Sequence, residues 1–216
     1  MQERRKFLKT ALGIVAGVNV FLTPLFSLLR PVRGEERKII IPKGTKRESL
    51  AHKNPDNLDT RNLELTPLKD FQTMGTTNYR VDLGQWRLEV AGRVKKPLSL
   101  NYSQVLGLPS IEKRVLLICP GFFANYGLWK GIQMGELLGR AEAESGLTHL
   151  TFSSPEGAYE RTQGFTLNEV LAGKVFLAYA VNGETLPEKH GFPLRVVAEG
   201  HYGSRWIKYA SKMKVG

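Results

Sequence analysis

The sequence predicts an α+β fold of mixed or antiparallel sheets with short helices between them. Three observations lead there. Apolar residues make up 42% and charged residues 24% of the 216 residues, a globular composition that excludes general disorder. From residue 85 onward, short runs that alternate or are wholly apolar recur between glycine, proline and Asn-Gly breaks, as strands do. Helical signals span only a turn or two. No internal repeat is present, and the 22 glycines and 11 prolines follow no period, so repeat and collagen-like architectures are excluded.

In chain order, residues 35–78 are polar and carry Pro42, Gly44, Pro55, Pro67 and Gly75, which predicts an extended arm with few regular elements. Trp86-Arg87-Leu88-Glu89-Val90 alternates like a half-buried strand, residues 92–97 form a turn, and residues 98–100 begin another short strand. Residues 102–106 fit a helical turn. Val115-Leu116-Leu117-Ile118 is an unbroken apolar run, expected of a strand buried on both faces, and it stops at Cys119-Pro120-Gly121. Residues 135–143 read as a short helix with Leu137 and Leu138 inward. Residues 149–152 read as a strand. A helical turn over 166–171 has Thr166 as its cap and Glu169 three residues on. Residues 175–181 form a strand closed by the hairpin signal Asn182-Gly183. Residues 194–198 and 206–214 complete the strands.

Charge is unevenly distributed. The net +11 divides into +7 over residues 1–50 and +4 over residues 51–216. The body has no long basic run interleaved with aromatics, which argues against nucleic-acid binding. The basic end has its own explanation. Arg4-Arg5, followed by Phe7-Leu8-Lys9 and an uncharged stretch over residues 10–29, resembles a twin-arginine export signal, read over residues 1–34 as a signal or an N-terminal membrane anchor. It implies the twin-arginine translocase as a partner and a periplasmic location, with or without retention at the inner membrane. An ordinary secretory signal or a single membrane span is the alternative. Such export implies a cofactor inserted before translocation.

Cys119 is the single cysteine, so an internal disulfide or a Cys-rich zinc site is excluded. At the end of a buried strand it is a small core hydrophobe, a nucleophile or a metal thiolate; the residues alone leave the three open. A second cluster, His190-Gly191-Phe192-Pro193-Leu194-Arg195 with Gly203-Ser204-Arg205-Trp206-Ile207-Lys208, gathers cations, a hydroxyl and glycine backbone of the kind a phosphate needs. It also reads as a basic solvated turn. It is neither a Walker loop nor GxGxxG.

Taken together, these segments resemble the molybdopterin-binding domain of the sulfite oxidase fold family, and within it the exported methionine-sulfoxide reductases and their small relatives. The resemblance runs from about Phe71 to Val215. It rests on Val90-Ala91-Gly92-Arg93-Val94-Lys95-Lys96-Pro97, on Cys119, on Trp129-Lys130-Gly131 with Leu137-Leu138, on Val181-Asn182-Gly183-Glu184 with Leu186-Pro187, and on the two basic segments. It implies a molybdopterin-binding oxidoreductase domain over residues 79–216 and a molybdenum-molybdopterin cofactor. Cys119 matches the molybdenum thiolate. His190 and Arg195 match pterin and phosphate contacts. Ser204, Arg205, Trp206, Ile207 and Lys208 match the rest of the phosphate clamp, Ser154 a hydroxyl residue near the cofactor, and Gln72 and Thr73 an arm folded over the pocket.

The sequence departs from the family around the thiolate. The arm offers Gln72, Thr73 and Met74, and the cysteine is followed by Pro120-Gly121-Phe122-Phe123-Ala124-Asn125-Tyr126, with no arginine in either place. A neutral S-oxide or N-oxide is therefore the expected small-molecule substrate, with Phe122, Phe123 and Tyr126 lining its pocket. Sulfite oxidation is the alternative, and a non-catalytic anion-binding module the alternative of another class. Electrons would come from a separate partner such as a membrane haem protein, because the chain has no CxxCH haem motif, flavin motif or iron–sulfur ligand set.

Overall fold

The structure is a computed structural model that describes residues 38–158 and 161–216; the export segment and the uncharged stretch over residues 10–29 lie outside them. The arm comes first. Its strands β1 (Ile39–Ile40) and β2 (Leu58–Asp59) pair in parallel, and 3-10 turns occupy Arg47–His52, Pro55–Asn57 and Leu68–Asp70. Then follow β3 (Leu88–Gly92), β4 (Leu98–Leu100), α1 (Tyr102–Leu106), β5 (Ser110–Cys119), β6 (Phe123–Ile132), α2 (Met134–Arg140), β7 (His149–Ser153), β8 (Thr162–Thr166) and α3 (Leu167–Leu171). The chain closes with β9 (Val175–Val181), β10 (Glu184–Thr185), β11 (Arg195–Ala198) and β12 (Lys212–Val215).

Two five-stranded sheets result. One runs β10-β9-β6-β5 with β11 also on β9, and all its pairs are antiparallel. The other runs β4-β3-β12-β7-β8 and is mixed, because β12 lies parallel to β3. This is the α+β arrangement expected from the short strand signals.

Local sequence explains the main joints. Pro120-Gly121 turns β5 into β6, with Gly121 at φ 78, and the ladder closes on the pair Cys119 and Phe123. Asn182 and Gly183 both take positive φ, 53 and 81, as a type I′ hairpin turn requires. Gly131 sits at a bulge between β6 and β9, where a Cβ would lie 2.1 Å from the Leu177 carbonyl oxygen, so that strand approach needs glycine. Reciprocal capping boxes start α1 (Asn101 and Gln104) and α3 (Thr166 and Glu169).

The apolar run of β5 is buried on both faces. Val115 and Leu117 join the main core with Trp129 and Phe176, whereas Leu116 and Ile118 pack with Ala124 and Tyr126 of β6 against Ile41, Leu50 and Leu58 of the arm. The arm is thus a packed cover rather than a loose extension. Three expectations are corrected. Residues 123–132, which carry no clean alternation, form a ten-residue central strand. Residues 162–166 form an unanticipated strand, and residues 206–211 are irregular, with only Lys212–Val215 in the sheet.

Candidate active site

The strand β5 delivers Cys119 to one wall of a cavity of about 540 Å³. The thiol is half-buried, and burial pushes its pKa up. Beside it lie Pro120 and Phe123. The expected aromatic lining is otherwise corrected: Phe122 is 69% exposed, and Tyr126 is buried in the arm cluster with its hydroxyl accepting from Thr60 at 3.2 Å. Phe122 belongs to the turn before β6, and Tyr126, three positions beyond Phe123, faces the opposite side of the strand.

The arm forms the second wall through Gln72, Thr73, Met74 and Thr76. Asn125, buried in β6, brackets Gln72: the Gln72 N–H donates to Asn125 Oδ1 at 3.1 Å, and Asn125 Nδ2 donates to the Gln72 carbonyl at 2.7 Å. Met74 then places its Sδ 3.8 Å from Cys119 Sγ.

The third wall is cationic. Arg195, at the start of β11, is 5% exposed, and its guanidinium lies 5.7 Å from the Trp129 ring and 5.6 Å from the Trp206 ring. Its Nη1 donates to the His190 carbonyl at 3.0 Å, and its Nε has no partner. Burial lowers its pKa to about 10, so it stays charged. His190 is 1% exposed, meets Phe71 edge-on, and leaves Nε2 unpartnered. Burial first, then Arg195, Lys189 and Lys208, lowers its pKa to about 3, so the ring is neutral near pH 7. Lys208 Nζ donates to Thr73 Oγ1 at 3.1 Å, Thr76 O at 2.5 Å and Lys189 O at 3.1 Å. Burial, Arg195 and Arg161 lower its pKa to about 8. Ser204 and Trp206 line the same wall, with Gly203 tight against Leu117 and the Ile118 carbonyl of β5.

Of the residues singled out in the sequence, Cys119, Gln72, Thr73, Arg195, Ser204, Trp206 and Lys208 therefore meet at one cavity. Four do not line it. His190 stands behind Arg195. Ser154 accepts from the Arg161 N–H at 2.9 Å and fixes the end of that turn. Arg205 donates to the Gly164 carbonyl and lies over the Phe165 ring at 4.8 Å. Ile207 is fully buried, its carbonyl accepting from the Val196 N–H at 2.8 Å.

The sequence reading did not single out Arg161, which lines the cavity with Nη1 3.4 Å from the Ser204 carbonyl; a lone basic residue beyond a turn carries no pattern. Nor did it single out Asn125 as a positioning group, although a polar residue between Ala124 and Tyr126 in a buried strand is a readable signal.

Among the described residues the cavity is lined by Arg161, Arg195 and Lys208 and by no carboxylate. It joins an anion-seeking wall, with a buried guanidinium nitrogen still unpartnered, to a soft thiol. That donor set fits a phosphorylated pterin dithiolene holding a thiophilic metal. Among the described residues no group of three or more His, Cys, Asp and Glu side chains could hold a metal ion.

Fold and site define a molybdopterin-binding oxidoreductase, and the comparisons agree: residues 74–216 match the oxidoreductase molybdopterin binding domain, and the chain belongs to that family. Its cofactor is molybdenum-molybdopterin. The chain is similar to the protein-methionine-sulfoxide reductase catalytic subunit of Gluconobacter oxydans, 31% identical over 145 residues, covering 60% of this chain and 46% of that one. It is also similar to the uncharacterized oxidoreductase YuiH of Bacillus subtilis, 30% identical over 138 residues (62% and 68%). An NADH nitrate reductase of Brassica napus is 29% identical over 179 residues (69% and 20%). The chain thus spans less than half of the first relative and a fifth of the nitrate reductase. Among solved structures, the sulfane dehydrogenase SoxCD of Paracoccus pantotrophus shares the fold at a TM-score of 0.58 and 22% identity, covering 63% of this chain and 39% of that one.

Proposed function

We propose that the protein transfers oxygen atoms in the reductive direction, from a neutral S-oxide or N-oxide, in the periplasm and with electrons from a separate redox partner. One observation carries the reading: among the described residues, those placed beside Cys119 are Met74 at 3.8 Å, its chain neighbour Pro120 and its strand partner Phe123, all uncharged. A sulfite dianion beside the metal needs a counter-charge there; a sulfoxide does not. The name of the Gluconobacter relative supports an S-oxide substrate.

The bound molybdenum centre supplies two-electron oxygen-atom exchange. The chain's own residues bind and enclose it. Cys119 supplies the thiolate. Arg195, held rigid between two indoles, offers Nε to the pterin phosphate, and Ser204 and the backbone of residues 206–208 complete that end. His190 stays neutral and presents Nε2 without adding charge. The arm excludes water on the remaining side. The single cysteine leaves no iron–sulfur ligand set for electron delivery in this chain, so a partner such as a membrane haem protein would deliver them. The twin-arginine resemblance supports export by that translocase. Among the described residues no helix is long and apolar enough to cross a membrane.

The test is a side-by-side assay of molybdenum-loaded protein. Reduced dye with neutral sulfoxides and N-oxides should be turned over, and sulfite with an oxidised dye acceptor should be turned over poorly. Fast sulfite oxidation without reduction of any neutral oxide would reverse the assignment.

A further inference from the structure

The capping box of α3 reaches beyond its own helix. Glu169 closes the box with one carboxylate oxygen: Oε2 accepts from the Thr166 N–H at 2.9 Å and from Thr166 Oγ1 at 2.7 Å. Its other oxygen, Oε1, lies 2.7 Å from His201 Nε2, and the two side chains are 28% and 27% exposed. Burial raises the Glu169 pKa, but the hydrogen bonds from Thr166 and His201 outweigh it and hold the carboxyl below its usual range. An ionised carboxylate only accepts, so His201 Nε2 carries the proton of this bond.

His201 opens the segment that carries half of the basic cluster. Its carbonyl accepts from Trp206 Nε1 at 3.2 Å, and the Trp206 ring lies 5.6 Å from the Arg195 guanidinium. The His201 ring stands edge-on to Phe165 at 5.5 Å; Arg205 lies over the same Phe165 ring at 4.8 Å and donates to the Gly164 carbonyl. Gly203 packs against Leu117 and Ile118. Residues 201–206 therefore span from β8, the edge strand of the mixed sheet, to β5, the edge strand of the antiparallel one, and have no ladder of their own. Neither Glu169 nor His201 is among the described residues that line the cavity, so their bond does not depend on what fills it.

We propose that Glu169 and His201 are positioning residues for the phosphate end of the cofactor: their bond ties residues 201–206 to the start of α3 and so holds Trp206 against Arg195. A segment fixed beforehand loses less freedom when a ligand binds, and the gain appears as slower release. The pair makes no appeal to which oxide is reduced, so it stands or falls independently of the function proposed above.

The test uses the full chain purified with its cofactor, in the variants His201→Phe, His201→Gln and Thr166→Val. His201→Phe keeps an aromatic ring against Phe165 and removes the hydrogen bond. His201→Gln returns an N–H donor. Thr166→Val weakens the α3 cap and leaves His201 in place. The rate at which pterin and molybdenum leave the chain on dilution is measured, together with hydrogen–deuterium exchange of the peptide covering residues 199–207 in the cofactor-free chain. A charge-assisted bond that is partly exposed has a modest effect, so His201→Phe should release cofactor about five- to ten-fold faster and raise exchange of this peptide by a similar factor. His201→Gln should recover part of both, and Thr166→Val should leave both near wild type. Release from His201→Phe at the wild-type rate overturns the proposal. So does equal acceleration in Thr166→Val, because the cap of α3, and not its link to residues 201–206, would then govern cofactor retention.

Discussion

Acidification should weaken the fold through one residue behind the cationic wall. His190 is 1% exposed and its folded pKa lies at about 3, against 6.5 for a free imidazole. Burial is the main cause, and Arg195, Lys189 and Lys208 add repulsion. Because the folded pKa is depressed, the unfolded chain takes up the proton first as pH falls. The stability tied to a neutral His190 is complete above the unfolded pKa and is lost progressively between 6.5 and about 3. At pH 5 the loss spans roughly 1.5 of those units, or about 2 kcal/mol at ~1.4 kcal/mol per unit. The perturbation is His190→Gln, which cannot titrate. The assay is urea unfolding of the cofactor-free full chain at pH 7.5 and pH 5, wild type against variant. Wild type should lose about 2 kcal/mol more than the variant over that interval. Other acid-sensitive groups, including the Glu169–His201 pair at 2.7 Å, are common to both proteins and cancel in the difference. Equal losses in the two proteins would show that the folded imidazole accepts its proton near 6.5 and that the neutral His190 assigned to the site is wrong.

Replacing Cys119 with Ser should abolish turnover while most of the pterin stays bound, because the cationic wall is separate from the thiol; near-normal dye-linked activity in this variant contradicts the metal-ligand assignment. Arg195→Met should release pterin and molybdenum in parallel, since a charge-assisted hydrogen bond is worth about 1.5–3 kcal/mol and the loss amounts to roughly ten- to hundred-fold in retention. Content is read by metal analysis and pterin fluorescence. The pair Arg4→Lys and Arg5→Lys should leave folded protein in the cytoplasm, and unchanged periplasmic accumulation of that double variant on fractionation would point to an ordinary secretory route.

Legibility in the sequence followed the locality of the signal. The β9–β10 hairpin, the α3 capping box and the buried run of β5 are set by residues within a few positions of one another, and each was readable. Strand β6 was not. Its sequence Phe-Ala-Asn-Tyr-Gly-Leu-Trp-Lys-Gly-Ile interrupts the apolar pattern with the exposed Lys130 and with Asn125, Gly127 and Gly131, the last three each placed there for a distant partner. Asn125 holds the arm, a Cβ on Gly127 would meet Val181, Phe71 and Trp129 at 2.9–3.0 Å, and Gly131 admits Leu177. Such residues look like loop residues because the constraint they answer lies some fifty positions away. The site divides the same way. Cys119 and Arg195 announced themselves by type and by family resemblance. By contrast, the placement of Arg205 on β8 and of Ser154 on Arg161 depends on tertiary neighbours that no local spacing encodes.

The three walls also differ in what holds them, and this bears on where substrate preference resides. Cys119 and Arg195 sit at strand ends, fixed by the ladders of β5 with β6 and of β11 with β9. Moving either means breaking a sheet. The arm wall hangs instead on side chains: Asn125 on Gln72, Lys208 on Thr73 and Thr76, Tyr209 on Thr76. Replacing Met74, which is 47% exposed, therefore changes what faces Cys119 without touching a backbone ladder or the core. A cofactor needs an unyielding seat, because misplacement of a reacting centre by about 1 Å costs on the order of a hundred-fold in rate. Substrate recognition tolerates more adjustment. The sheet-held walls thus suit the cofactor and the arm wall suits the substrate, so the proposed preference for a neutral oxide would reside in residues 72–76 rather than in the basic segment that dominates the sequence signal.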